Sequence, residues 1–248
     1  MRLRLFSWNL HGGIGTDGRL DLERLGAEIV ALRPDVVALQ ELDAYQQRSG
    51  WVNQWRALGR ATGLRAFYGA NLTTVAAGPP PDAPAGHPGR WVHQYGVALL
   101  TSLPVRAVEN HLLTYRAEGP GYKEQRGCLE VETEVATFLC THWGLYQEER
   151  VGQSQDVLAL ADAASAAGHP VAVLGDLNAV SIAPELTALR ARFRDAGAGA
   201  GPTYPASGPR QRIDYCLLPQ EWHVVEAHVV ATGASDHCGL LVEAETRG

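Results

Sequence analysis

Val171-Ala-Val-Leu-Gly-Asp-Leu-Asn178 decides how the rest of the chain is read. Its first four residues have the length and branching of a strand buried on both faces. Gly175 breaks the run and lets the backbone turn. Asp176 and Asn178 then fall just past the strand's C-terminal end, where a sheet presents side chains to a cleft. Asp accepts a proton, and Asn offers a donor and an acceptor without charge. The plain alternative is a turn, because both residue types bond their own backbone. Recurrence of the pattern along the chain separates the two readings.

Upstream, the Ala-rich stretch 147–167 predicts a helix with Val151, Leu158 and Ala161 facing inward, ended by Gly168-His-Pro170. Before it, Cys128–Glu132 and Val135–Cys140 read as a tight hairpin through Thr133-Glu134, and the second strand runs on into Thr141-His142. Tyr95–Leu100 is another buried strand, turning at Ser102-Leu-Pro104. At the N-terminus, Leu3, Leu5 and Trp8 partly alternate with polar residues in a strand that ends at Asn9. Asp21 precedes a helix with Leu22, Leu25, Ile29 and Leu32 on one face, stopped by Pro34. Val36–Leu39 is a buried strand ending in Gln40-Glu41, and Trp55, Leu58 and Ala61 mark a helix closed by Gly63. Downstream, Pro184 suits the first turn of a short helix over Glu185–Arg192. A Gly/Pro/Ala loop at 196–209 contains Thr203-Tyr204, and strands follow at Arg212–Leu218, His223–Val230 and Gly239–Glu243. Residues 71–90 and 116–125 carry too much Gly and Pro for a regular element. Such a segment is either a functional flap or disorder.

With 248 residues, 46% of them hydrophobic, the chain can bury one sizeable core, and a single domain over 1–248 is expected. The formal net charge of -6 gives no bulk attraction to polyanions, although a local basic groove stays open. Cys128, Cys140, Cys216 and Cys238 form no CxxC pair, which argues against a cysteine zinc site. No apolar leader and no run of about 18 apolar residues is visible, so no membrane span and a cytoplasmic location are expected. No obligate protein partner is visible.

Six strand-like runs end in, or contain near their ends, oxygen or imidazole groups: Asn9; Glu41; His142; Asp176 with Asn178; Asp214; Asp236 with His237. Carboxylates and a carboxamide without thiolate suit a hard cation such as Mg²⁺ or Mn²⁺. A His beside a carboxylate is held in one orientation with its cation stabilised, and Asp214 with His237 fits such a pair. Singly, each residue has a bland reading: Asn9 as a turn former, Glu41 as a solvated carboxylate, His142 as a satisfied core histidine. Asp214 is harder to dismiss, because a carboxylate within Arg-Ile-Asp-Tyr-Cys-Leu-Leu needs a buried partner.

As a set, Trp8-Asn9, Leu39-Gln40-Glu41, Tyr95-Gly96, Gln125-Arg126, Thr141-His142, Gly175-Asp-Leu-Asn178, Ile213-Asp-Tyr215 and Ser235-Asp-His237 resemble the endonuclease/exonuclease/phosphatase superfamily. The resemblance spans residues 8 to 237. It implies an α/β (α+β) four-layer sandwich, with two mostly antiparallel sheets face to face and helices outside. It also implies a Mg²⁺- or Mn²⁺-dependent phosphohydrolase. Carried over, Glu41 is the main metal ligand, helped by Asn9 and Asp236. Asp176 orients or deprotonates the attacking water, and Asn178 holds a phosphate oxygen. His237 contacts the scissile phosphate with Asp214 orienting it, His142 is a second phosphate-binding His, and Arg126 adds a positive donor at the rim. Abasic-site endonucleases tend to carry an acid where His11 stands and lack the Thr-His at His142, which weakens a DNA-repair assignment. The closest similarity is to small bacterial metal-dependent hydrolases. The expected substrate is a phosphoester: a small molecule, a lipid head group or a nucleic acid. Arg90, Trp91, Tyr115, Arg116 and Lys123 are available either to grip a strand or to close a lid. A non-catalytic binding domain is the remote alternative.

Overall fold

The period-2 alternation of each strand sorts its side chains into layers. In β1 (Arg2–Asn9), Leu3 and Leu5 face one core while Phe6 and Trp8 face another. The computed structural model describes residues 1–76, 91–117 and 124–246. Within these, β1 is followed by α1 (Leu22–Leu32), β2 (Val36–Ala44), α2 (Gln54–Thr62), β3 (Arg65–Ala76), β4 (Trp91–Thr101) and β5 (Val105–Leu112). Next come β6 (Gly127–Thr133), β7 (Thr137–His142), α3 (Gln147–Ala166), β8 (Val171–Asp176) and α4 (Thr187–Arg192). The chain finishes with β9 (Arg194–Asp195), β10 (Asp214–Leu218), β11 (His223–Val230) and β12 (Gly239–Glu245).

Two sheets form, in the orders β11-β12-β1-β2-β4-β3 and β5-β6-β7-β8-β10-β9. Each is antiparallel except for one parallel pair at its centre, β1 with β2 and β7 with β8. Both parallel pairs are joined through a helix, α1 and α3, as parallel crossovers require. Between the sheets lies a core that includes Leu3, Leu5, Val36, Val97, Leu129, Phe138, Leu174 and Cys216. The outer face of the first sheet packs on α1 and α2 through Phe6, Trp8, Leu25, Ile29 and Leu58. The outer face of the second packs on α3 and α4 through Val157, Ala161, Val173, Leu189 and Tyr215. The result is the expected four-layer sandwich.

Local signals explain the helix ends. The Asp21 carboxylate accepts from Arg24 N–H at 2.9 Å to start α1, and Arg33 closes it in the left-handed region at φ 48°. Asn53 caps α2 by accepting from Arg56 N–H at 3.1 Å, and Gly63 ends it at φ 72°. Each cap contributes about 1 kcal/mol.

The structure departs from the sequence reading in several elements. Residues 71–90 were expected to lack regular structure, yet β3 runs through Ala76; positions 77–90 lie outside the described residues, as do 118–123 of the second loop. β3 and β5, both edge strands, escape the apolar pattern because neither carries a long apolar run, and β5 is largely exposed. The β6–β7 turn falls at residues 134–136, not at Thr133-Glu134. Val151 points outward at 40% exposure, and α3 instead buries Gly152, Gln153, Ser154, Val157 and Ala161. Two of its buried polar side chains are hydrogen-bonded: Gln153 accepts from Gly144 N–H and donates to Thr114 O, and Ser154 donates to Glu185 O. Pro184–Leu186 forms a 3-10 turn, and α4 begins only at Thr187.

Candidate active site

The polar groups sit one step past the sandwich core. On β8, Ala172 and Leu174 face the inter-sheet core, so Asp176 continues the same row. Likewise Phe138 and Cys140 lead to His142 on β7, and Leu218 and Cys216 lead back to Asp214 at the start of β10. Register places these three side by side, with His142 opposite Asp176 and Asp214 opposite Asp176 on the other flank. In the first sheet, Leu3 and Leu5 lead to Asn9. β10 runs antiparallel to β8 and β12 runs antiparallel to β1, so their beginnings join the C-terminal ends of the parallel pairs.

Gly175 permits the approach. A Cβ there would collide with the Thr141 carbonyl oxygen on β7. Glu41 needs a different device. Leu39 and Leu42 both pack in the helix-facing core, three positions apart, which a regular strand forbids. The β2–β4 register shifts between them, and Glu41 takes the left-handed conformation at φ 59°. This bulge turns its carboxylate toward the cavity. Asn178 and His11, also at the cavity, have φ of 48° and 49°.

The contacts link both sheets. Asn9 Nδ2 donates to Glu41 Oε1 and to Asp176 Oδ2, each at 3.0 Å, and Asn9 Oδ1 accepts from His11 N–H. Asn178 N–H donates to Asp176 Oδ1 at 2.9 Å, and its Nδ2 donates to Trp143 O. His237 Nδ1 lies 3.0 Å from Asp214 Oδ2, and its Nε2 lies 3.7 Å from Asp176 Oδ2. Ser235 explains the Ser-Asp-His sequence: its hydroxyl donates to Asn9 O at 2.7 Å and accepts from His237 N–H.

Arg126 is buried rather than at the rim. Its Nη1 approaches His142 Nδ1 at 3.0 Å and its Nη2 pairs with Glu124 at 3.3 Å. These residues line one cavity of about 690 Å³ together with Glu41 and Asp236. Of the catalytic, phosphate-binding and metal-ligand candidates, all except Asn9 and Asp214 border that cavity, and those two are bonded to residues that do.

The two imidazoles are driven apart. Burial, then the positive charges of Arg126 and His237, hold His142 well below the ordinary His value. Asn178 Nδ2 stands 3.1 Å from its Nε2, so donors approach both ring nitrogens and a cationic ring is disfavoured. Burial also opposes charge on His237, but Asp214, by charge and hydrogen bond, then Asp176 and Asp236, lift it to about 10. Asp176 is raised well above the usual carboxylate range by burial and next by Asp214; His237, Asn178 N–H and Asn9 pull the other way.

Among the described residues, two places at this cavity offer cation ligands. Asp176, Asp214 and His237 bring three ligand atoms within 4.8 Å of one another. In that cluster His237 Nδ1 is engaged by Asp214, and the two Asp176 oxygens already accept from Asn178 N–H and Asn9 Nδ2. The other place is Glu41, whose side chain is 25% exposed to the cavity, with Asp236 at 34%. This second set is all oxygen, and Asn9 Oδ1 keeps a lone pair beside its bond from His11, so it fits a hard divalent ion.

Sequence reasoning missed the strap at Thr203-Tyr204. Thr203 Oγ1 accepts from the N–H groups of Ile213 and Asp214, and its carbonyl accepts from Cys238 N–H, tying the Asp214 and His237 loops together. The Tyr204 ring packs on His237 with centroids 4.6 Å apart. An aromatic residue within a Gly/Pro loop was the available signal. Arg90 and Lys123 lie outside the described residues, and the side chain of Tyr115 is exposed.

A family model described as Endonuclease/Exonuclease/phosphatase family matches residues 6–237. Among solved structures, the endonuclease/exonuclease/phosphatase from Beutenbergia cavernae DSM 12333 aligns with TM-score 0.76 and 25% identity, over 100% of this chain and 72% of that one. The mannosyl-6-phosphatase Bt3783 of Bacteroides thetaiotaomicron VPI-5482 aligns with TM-score 0.75 and 14% identity, over 98% of this chain and 100% of that one. The human Nocturnin catalytic domain with bound sulfate anion aligns with TM-score 0.69 and 17% identity, over 98% and 93%. The last two are likenesses of fold. No curated protein sequence matches the chain.

Proposed function

The chain belongs to the endonuclease/exonuclease/phosphatase family, and on that premise we propose that it is a divalent-metal-dependent phosphoester hydrolase using in-line attack by water. The observation that carries this reading is the one cavity on which His237 paired with Asp214, His142, the buried Asp176 and Glu41 all converge.

Glu41, Asn9 and Asp236 would hold Mg²⁺ or Mn²⁺, which when bound offsets the charge that builds on the phosphoryl oxygens. Asp176 orients the attacking water and takes its proton; Asn9 and Asn178 fix both of its oxygens for that task. His237 directs its Nε2 proton at the scissile phosphate, because Nδ1 is pinned to Asp214. Arg126 can only donate, so His142 Nδ1 accepts and the neutral ring keeps its Nε2–H for a phosphoryl oxygen, while Asn178 has one Nδ2 hydrogen beyond its bond to Trp143 O for the same purpose. The transition state gains negative charge facing a fixed cation, and no group has to reorganise to meet it.

A small phosphoester, free or a lipid head group, fits the net charge of -6 better than duplex nucleic acid does. The test is a screen of purified protein with Mg²⁺ or Mn²⁺ against bis-p-nitrophenyl phosphate, p-nitrophenyl phosphate, phospholipids, plasmid DNA, single-stranded DNA and RNA. Turnover of small esters that EDTA abolishes is the expected result. Plasmid nicking or RNA cleavage at low enzyme would make it a nuclease. EDTA-insensitive turnover would remove the mechanism, and no turnover at all would make it a binding domain.

A further inference from the structure

One part of the cavity wall has no task in the hydrolysis. Leu145, on the loop between β7 and α3, is 63% exposed, and Val180, on the loop after β8, is 40% exposed. Both line the same cavity as Asn178 and His142, and Ala183 and Ile213 continue the lining. Arg48, Glu124 and Arg126 add charge from other segments, and Arg150, at the start of α3, also borders the cavity but is engaged by Glu185 and Leu145 O. Water-exposed Leu and Val are ordinary when scattered, but here they sit together on the wall of a reactive cavity, where ligand pockets place apolar contacts.

The loops holding them are fixed by hydrogen bonds. Arg150 donates to Leu145 O at 2.7 Å and to Glu185 at 2.6 Å, tying the two loops to each other. Ala183 N–H donates to Val180 O at 2.8 Å, and Tyr215 donates to Ala179 O at 2.7 Å. The apolar side chains are thus presented on fixed backbone beside Asn178, whose own Nδ2 is bonded to Trp143 O.

We infer that Leu145 and Val180 form a subsite for an apolar ester group, so that the substrate is a phosphoester carrying an alkyl or aryl group and not a wholly polar phosphosugar. The inference rests on the hydrolase reading and names the substrate class of that site. Burying a methylene fully is worth about a fourfold gain in binding, and a one-sided wall gives roughly half that factor.

The experiment measures kcat/KM with Mn²⁺ for methyl, butyl and hexyl p-nitrophenyl phosphate, which share one leaving group. The expected hexyl-to-methyl ratio is roughly 30 for the natural chain, from about a twofold gain per methylene. Leu145→Ser combined with Val180→Ser should bring that ratio down to about 3. Ile182→Ser is the control: Ile182 is 88% exposed outside the cavity lining, and this variant should keep the high ratio. A flat series in the natural chain, or a ratio that Leu145→Ser and Val180→Ser leave untouched, would overturn the subsite. Hydrolysis of p-nitrophenyl phosphate with none of the three diesters would also overturn the subsite, whereas failure on these and on every ester of the screen above would instead strike the hydrolase reading itself.

Discussion

His142 and His237 are both buried, yet the site favours the neutral form of one and the cationic form of the other. His237 gains a proton through Asp214, while Arg126 and burial deny one to His142. In metal-free protein, NMR titration should show His237 holding its proton to about pH 10 and His142 losing its proton well below the ordinary His value. The linkage has a definite sign. His237 binds its proton more tightly folded than unfolded, so its contribution to stability is complete below about pH 6.5 and disappears as pH rises through about 10. Asp214→Asn should flatten that decline in urea unfolding curves. In turnover, Asp176→Ala or His237→Ala should each cost about 2–4 kcal/mol of transition-state stabilisation, read as the fall in kcat on bis-p-nitrophenyl phosphate. Wild-type rates in either variant would refute its role. At this scale the sequence was informative wherever the residue type itself demanded a partner. Asp214 in an apolar strand is such a case, and it is fully buried against His237. Arg126 was placed at the rim because sequence carries no depth. The bulge at Glu41 was likewise invisible, since it depends on Leu39 and Leu42 sharing a core layer.

Strands and helices position these groups by steric and capping rules that can be tested separately. Gly175→Ala should push β8 away from the Thr141 carbonyl, costing about 1–3 kcal/mol of stability and displacing Asp176, so kcat falls as well as Tm. Asp21→Ala removes only the α1 cap; it should cost about 1 kcal/mol in chemical denaturation and leave kcat unchanged. If Gly175→Ala behaves like Asp21→Ala, with stability lost and activity kept, the close approach of β7 and β8 is not what aims Asp176. Central strands were legible because burial on both faces leaves long apolar runs such as Val171–Leu174. β3 and β5 were not, because Arg65–Ala76 and Val105–Leu112 carry no such run, whereas edge strand β11, which like β5 has no buried residue, kept Val224, Val225, Val229 and Val230 to mark it. α3 misled the reading for a related reason: it buries Gln153 and Ser154 by hydrogen bonding, so its apolar periodicity points at Val151 instead.

Across the whole molecule, each sheet contributes one parallel pair, and the ends of both pairs open on the same cavity. The Asn9–Asp176 hydrogen bond joins them, so the site exists only when the two sheets pack face to face. Composition could not reveal that juxtaposition; the family resemblance selected the fold, and the strand pattern was merely consistent with it. The central claim is that this junction holds one divalent ion at Glu41 for phosphoester hydrolysis. Anomalous diffraction from crystals equilibrated with Mn²⁺ tests it most directly. The account predicts a single strong peak bonded to the Glu41 carboxylate on the Asn9 and Asp236 side of the cavity, absent in Glu41→Ala. A peak coordinated instead by Asp176, Asp214 and His237, or no peak in the cavity at saturating Mn²⁺, would contradict it.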